Sequence, residues 1–379
     1  MTKAWQQHKL GDLLTRSGEA AQPAADAEYK EITIRLWGKG VLERGRISGA
    51  AVNGRRFIAR KNQFIASRID ARNGAMGIVP ESLDGALVTN DFPLFEVNHE
   101  HILPQYMGWL CRTPAFVDLC ARASEGTTNR VRLKEDEFLR LEIQIPETKE
   151  QQRIVIQIDT VQQQLQAADK LRSSIDRDIA SLLAVRFQET LAKARWLPMS
   201  EVAPLVRREV KINPESNYSE LGVRSFFKGA FIRRTVTGAE FTWQKLYQVN
   251  ADDLIFSNIM AWEKGIAIAN TGHNECVGNH RMLTCEANPI LALSAYLHYY
   301  FTTDEGFAKV YAASPGTAAR NRTLTADALM GLTVPAPTLA VQRQFVELKN
   351  ALEKSAEKRA EQSPISDAIL PSLVQKLMT

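Results

Sequence analysis

The sequence repeats itself at half its own length, and this constrains the possible folds more than any other feature of the chain. Tyr29 to Gly40, YKEITIRLWGKG, matches Tyr218 to Gly229, YSELGVRSFFKG, with Arg35/Arg224 and Lys39-Gly40/Lys228-Gly229 in register. Further along, Phe64–Ile69 faces Leu254–Ile259, and Asn90 pairs with Asn279 ahead of a short apolar strand in each half. A basic loop, Gly126-Thr127-Thr128-Asn129-Arg130-Val131-Arg132-Leu133, shares its skeleton with Gly316–Leu324, which carries Arg320 and Arg322. Finally Gln152-Arg153 aligns with Gln342-Arg343. Offsets of 189 and 190 in a chain of 379 residues make two copies of one unit.

Each copy reads as a compact α/β domain followed by a helix. Short β-branched and aromatic runs such as Ile32–Leu36, Phe64–Ile69, Leu254–Ile259 and Gly265–Ala269, punctuated by Gly and Asn, predict strands. One apolar helix is expected per copy, over Leu103–Leu119 and Ile290–Tyr311. The expected blocks are residues 1–146 and 196–337 for the α/β domains, with 147–195 and 338–379 for the helices.

The first long helix begins after Pro146, with Thr148 as N-cap and Gln151 at capping-box spacing. Ile154, Ile158, Val161, Leu165, Leu171 and Ile175 continue an apolar stripe, with one extra three-residue step at Ala168–Leu171. About 44 residues of helix would span roughly 65 Å. The second helix carries Phe345, Leu348 and Leu352 and is expected to kink or break at Ser363-Pro364 and Leu370-Pro371. Val341 stands where the first copy has Gln151, which predicts a weaker cap there. So narrow a stripe needs a partner. The expected arrangement is the two helices paired antiparallel, in an α+β chain whose α/β domains lie at opposite ends of a coiled coil.

Several functional classes lack their signatures. There is no GxxxxGK[ST] phosphate loop, no strand-linked GxGxxG, no HExxH and no GxSxG. Asp252-Asp253 precedes a strand and reads as a turn rather than a metal-binding pair. Cys111, Cys120, Cys276 and Cys285 show no CxxC spacing, and His273, Cys276, His280 and Cys285 match no common zinc module, so no metal is expected. No apolar run reaches a membrane span and the start lacks a signal-peptide core, which predicts a cytoplasmic protein. Charge is more telling in its distribution than in its total of +4: Tyr29–Arg72 holds about eleven Lys or Arg against about three acids, a surface suited to phosphates.

The chain resembles the specificity subunit of type I restriction–modification systems. The likeness covers the whole length and is most specific at Ile143-Gln144-Ile145-Pro146-Glu147-Thr148-Lys149-Glu150-Gln151-Gln152-Arg153, which looks like the start of the first family helix. Val334–Arg343 and Ala368–Val374 look like its second-copy counterpart and the closing helix, and Trp5 and Trp196 resemble the openings of the two halves. The resemblance implies two target-recognition domains, each reading one half of a split, non-palindromic double-stranded DNA target. It implies paired helices that space the half-sites and dock two modification subunits, adenine methyltransferases using S-adenosylmethionine. An ATP- and Mg-dependent restriction/translocase subunit can join such a complex. No catalysis and no cofactor would reside in this chain.

Phosphates select Lys and Arg, and base edges select Arg, Lys, Asn or Gln. The expected DNA contacts are therefore Arg55, Arg56, Arg60, Lys61, Arg68, Arg72, Arg130 and Arg132 in the first half, with Asn258, Lys264, Arg320 and Arg322 in the second. The alternative for Arg130, Arg132, Arg320 and Arg322 is pairing with Glu135 and Asp327. The competing function is a coiled-coil scaffold whose α/β domains bind protein, which an exposed apolar patch in place of the basic strip would favour.

Overall fold

The computed structural model describes residues 5–125, 131–192, 194–241, 245–316 and 322–378. They form two compact units, Met1–Leu171 with Glu361–Thr379, and Arg172–Ala360. Each unit holds one α/β domain, and the helix Thr148–Leu191 gives its first half to one and its second half to the other.

Each domain is closed by its own first and last strands. Gln6–Lys9 runs antiparallel to Glu142–Ile145, and Arg195–Pro198 antiparallel to Thr333–Ala336. The first domain contains one sheet in the order Val41–Ser48, Glu28–Ile34, Leu87–Val88, Phe57–Ile58, and another in the order Leu14–Ser17, Leu94–Val97, Phe64–Ala66, Met76–Ile78. In the second domain, Ala230–Thr237 and Asn217–Val223 form the matching hairpin, and Leu254–Ser257 lies between Ile266–Ile268 and Met282–Cys285. Both hairpins carry a bulge at the same place, after Glu31 and after Glu220.

The repeated tyrosine has a structural task. The Tyr29 hydroxyl accepts the Ala24 N–H at 3.0 Å, and the Tyr218 hydroxyl accepts the Asn213 N–H at 2.9 Å. These bonds hold the approaching loop segment against Gly49 and Gly238, where a Cβ would stand only 1.9 Å from the Ala24 carbonyl oxygen and 2.0 Å from that of Asn213. Glycine is required at both positions because backbone, not side chain, occupies the space.

The single helix expected in each copy is two. Pro104–Leu110 is followed by Pro114–Arg122, and Ser294–Thr302 by Asp304–Ala312. A threonine breaks each run by capping the next helix: the Thr113 hydroxyl accepts from the Phe116 N–H and that of Thr303 from the Gly306 N–H. Apolar periodicity runs straight through such a break, and only the cap reveals it. The second long helix divides as expected before Ser363-Pro364, into Leu339–Glu361 and Ser363–Met378, whereas Pro371 is carried inside the latter.

One register needs correcting. The Gln151 side chain is fully buried: its Nε2 donates to the carbonyls of His101 and Pro146 at 2.8 Å each, and its Oε1 accepts the Leu103 N–H at 2.9 Å. Gln342 repeats this with Leu291, Pro337 and Leu293, at 2.8, 2.8 and 2.9 Å. The true partner of Gln342 is thus Gln151, not Gln152, and the second helix start is as firmly tied as the first. The glutamine bolts domain to helix instead of closing a capping box.

The helices pair antiparallel within each unit. In the first, Ile154, Val155 and Ile158 are buried in one core with Val374 and Met378. Asp159 accepts the Trp109 indole N–H at 2.8 Å, fixing the helix to its domain. In the second, Phe187 packs on Tyr296, Tyr299 and Phe345 with centroids 4.9–5.2 Å apart, and Leu348 and Leu352 flank this core. The Arg359–Asp176 ion pair at 2.8 Å lies further along the same seam. Val161, Leu165 and Ile175 are half-buried. Leu171 departs from the expected stripe and is 62% exposed. Two successive three-residue steps turn it about 120° from Leu165, at 100° per residue.

Candidate nucleic-acid interface

The hairpin turns have an unusual backbone. Trp37 and Gly38 have φ of 60° and 65°, and Phe226 and Phe227 have 60° and 55°. Consecutive left-handed residues are what a tight primed hairpin turn demands, and Gly or Asn normally supplies them. A bulky side chain there costs about 1–2 kcal/mol per residue. Each turn is held by two backbone bonds to a neighbouring 3₁₀ turn: Trp37 to Asn73 and Gly38 to Gly74 at 2.9 and 3.1 Å, Phe226 to Glu263 and Phe227 to Lys264 at 2.9 Å each.

Several of the residues expected to bind DNA already hold carboxylates. Arg60 makes a two-pronged bond to Glu19, at 2.8 and 2.5 Å, and the guanidinium holds Glu19 below the usual carboxylate range. Lys61 pairs with Glu81 at 3.2 Å and Arg132 with Asp91 at 3.0 Å. Arg68 bonds Glu135 through its Nε at 2.7 Å, and Arg16 holds the other oxygen of that carboxylate at 2.9 Å. Glu135, the alternative partner for the loop arginines, is thus held by Arg68 and Arg16, while Arg132 pairs with Asp91. A phosphate reaching any of these cations has to displace an acid.

The remaining expected residues are differently placed. Arg55 lies over the Phe57 ring at 5.1 Å. Arg56 and Arg72 are half-buried and have no ion-pair partner among the described residues. Arg322 donates to the Ser314 carbonyl at 3.1 Å and stacks on Tyr311 at 4.2 Å. Lys264 is exposed, its Nζ 5.7 Å from the Phe227 ring centre and 5.2 Å from that of Phe307. Asn258 is half-buried, and its Oδ1 is shielded from solvent with no hydrogen-bond partner. Arg130 and Arg320 lie outside the described residues.

The turn cations are not among the expected contacts. Arg35 and Lys39 in one domain, and Arg224 and Lys228 in the other, are exposed and have no acid partner among the described residues. Arg112 joins the first set, its side chain lying against Gly38 and its guanidinium 4.2 Å over the Trp109 ring. The available signal was the alignment itself, since Arg35/Arg224 and Lys39/Lys228 are identical across the repeat.

The cysteines, His273 and Asp253 are engaged structurally. Burial pushes the Cys111 and Cys285 thiols up to about 12, so they stay protonated. His273 Nδ1 accepts the Asn270 N–H at 3.2 Å, and Asp253 is bound by Arg208 at 2.6 Å. Among the described residues no three His, Cys, Asp or Glu gather as ligands, and no helix is long and apolar enough to cross a membrane.

No family model and no curated protein matches the sequence. Solved structures do. The HsdS subunit from Thermoanaerobacter tengcongensis superposes with a TM-score of 0.62 at 18% identity, over 99% of this chain and 96% of that one. A chain from work on complex assembly and conformational transition of the type I R-M system gives 0.68 at 17% identity, over 100% and 98%. The chain has the HsdS fold. Full coverage of both partners means that the HsdS fold accounts for both domains and both helical segments. At 17–18% identity the likeness lies in the fold, and the side chains above are this chain's own.

Proposed function

We propose that this chain is the DNA-specificity subunit of a type I restriction–modification complex. One observation carries the reading: the HsdS fold spans the whole chain, and the same hairpin with unpaired cations at its turn occurs once per domain. Each domain reads one half of a split target. Arg35, Lys39, Arg112, Arg224 and Lys228 reach phosphates first, because no carboxylate need be displaced. Arg55, Arg56, Arg72, Lys264 and Arg322 act beside them. Arg60, Lys61, Arg68 and Arg132 join by exchanging partners, and Asn258 offers an amide to a base edge. Arg130 and Arg320 are proposed as further DNA contacts.

The helices dock two methyltransferase subunits that use S-adenosylmethionine, and an ATP- and Mg-dependent translocase completes the restriction form. The chain itself is non-catalytic and acts in the cytoplasm. Co-expression with the neighbouring methyltransferase gene, followed by mapping of modified adenines, tests this directly. Two short blocks around a fixed gap are expected. A complex that co-purifies and binds S-adenosylmethionine yet methylates nothing would instead favour a scaffold whose domains bind protein.

A further inference from the structure

Trp37 and Phe226 are the two most exposed aromatic side chains among the described residues, at 70% and 65%. They occupy the same position in the two repeats, each on a left-handed residue. A turn selected only for folding would place glycine there, as it does at Gly38. Instead the chain retains a large ring, in strain, and pins the backbone beneath it with a bond to Asn73 or Glu263. The backbone that carries each ring is thus held in place before anything binds.

Its surroundings decide among occupants. Arg35, Lys39 and Arg72 around the first turn, and Arg224, Lys228 and Lys264 around the second, have no carboxylate partner among the described residues. Glu263 is the acid at the second turn, and it accepts the Ser225 hydroxyl at 3.3 Å. Exposed rings with only Leu36 or Phe227 as apolar neighbours in the turn, bordered by cations that hold no acid, suit a polyanion with flat apolar faces. A protein groove would ask for a broader apolar surface and for acids opposite.

We propose that Trp37 and Phe226 are matched wedges, one per half-site, that stack on a nucleobase face at a locally unstacked step while the flanking cations hold the phosphates. This rests on the DNA-specificity reading, and deepens it by naming the group that deforms DNA.

The test uses the whole complex with its modification subunits. The probe is a duplex carrying the split motif returned by methylation mapping, scanned with 2-aminopurine. Beside the adenines that the methyltransferases extrude, binding is expected to brighten one further position in each half-site. Trp37→Ala should abolish that signal in one half-site only and Phe226→Ala in the other, each weakening binding about tenfold, as loss of one base–aromatic stack does. Trp37→Phe should retain the signal. Trp37→Gly is the sharpest variant, because relief of strain should raise the melting temperature while binding falls. Unchanged brightening and affinity in Trp37→Ala, with wild type binding normally, overturns the wedge and leaves the specificity reading standing. Normal DNA binding with lost modification subunits also overturns it and assigns the ring to protein docking. A wild-type complex that recognises no motif overturns both.

Discussion

The two domains share a frame to within a hydrogen bond and differ where that frame meets chemistry. Arg68 and Asn258 are equivalent: each accepts from the same following leucine, Leu133 or Leu324, and donates its own N–H to the carbonyl of Asp91 or Arg281. Around Arg68 stands a charged triad completed by Arg16 and Glu135. The corresponding residues beside Asn258 are Leu205 and Ala326, and the amide oxygen is left without a partner. The backbone is indifferent to this exchange because all its own bonds are satisfied locally. A scaffold of that kind can vary the side chains at one position without refolding, which is what two domains reading different half-sites require. The unpartnered oxygen in the second domain is the open valence of the pair.

The comparison can be broken or sharpened by variants in matched positions. The largest effect is expected where the helix is clasped. Phe187→Ala should cost about 4 kcal/mol in the second unit and Ile158→Ala about 3 kcal/mol in the first, in line with large-to-small core changes. Chemical unfolding followed by domain-specific proteolysis would show whether each loss stays in its own unit. Next come Gln151→Ala and Gln342→Ala. Each strands a buried N–H and two carbonyls, so each should cost about 2–3 kcal/mol. Equal losses confirm that the two bolts are equivalent; a small loss at Gln342 would restore the asymmetry that the sequence suggests.

The third pair separates the domains. Glu135→Ala leaves Arg68 and Arg16 facing one another at a partly buried site and should cost about 1–2 kcal/mol. Asn258→Ala removes a carboxamide whose oxygen bonds nothing, so stability should change by no more than about 0.5 kcal/mol while affinity for motif DNA falls. Loss of stability without loss of affinity in Asn258→Ala would make that residue structural. The smallest effect is expected at Lys61→Ala: its exposed pair with Glu81 contributes well under about 1 kcal/mol, and the melting curve should be nearly unmoved.

Reading the sequence recovered the fold further than the site. The long helix, the division into strands and the break before Ser363-Pro364 all leave local marks: period, β-branching, proline. Residue type, position in the repeat and local charge density point to candidate site residues, but none of them reveals partners. Arg60 and Arg68 look identical to Arg35 and Arg224 in the sequence, yet the first two are neutralised by Glu19 and Glu135, 41 and 67 residues away. Trp37 and Phe226 passed as repeat markers because a positive φ on an aromatic residue has no sequence signal.

By itself the sequence determined that this protein is two copies of one α/β unit, each followed by a helix, because duplication and amphipathic period are properties of order along the chain. Only the tertiary structure decided which residues are equivalent at the helix starts, which cations are free, and that two aromatic rings stand out from strained turns. Those facts depend on contacts between distant segments, whose geometry is set by packing of the whole domain rather than by any local preference.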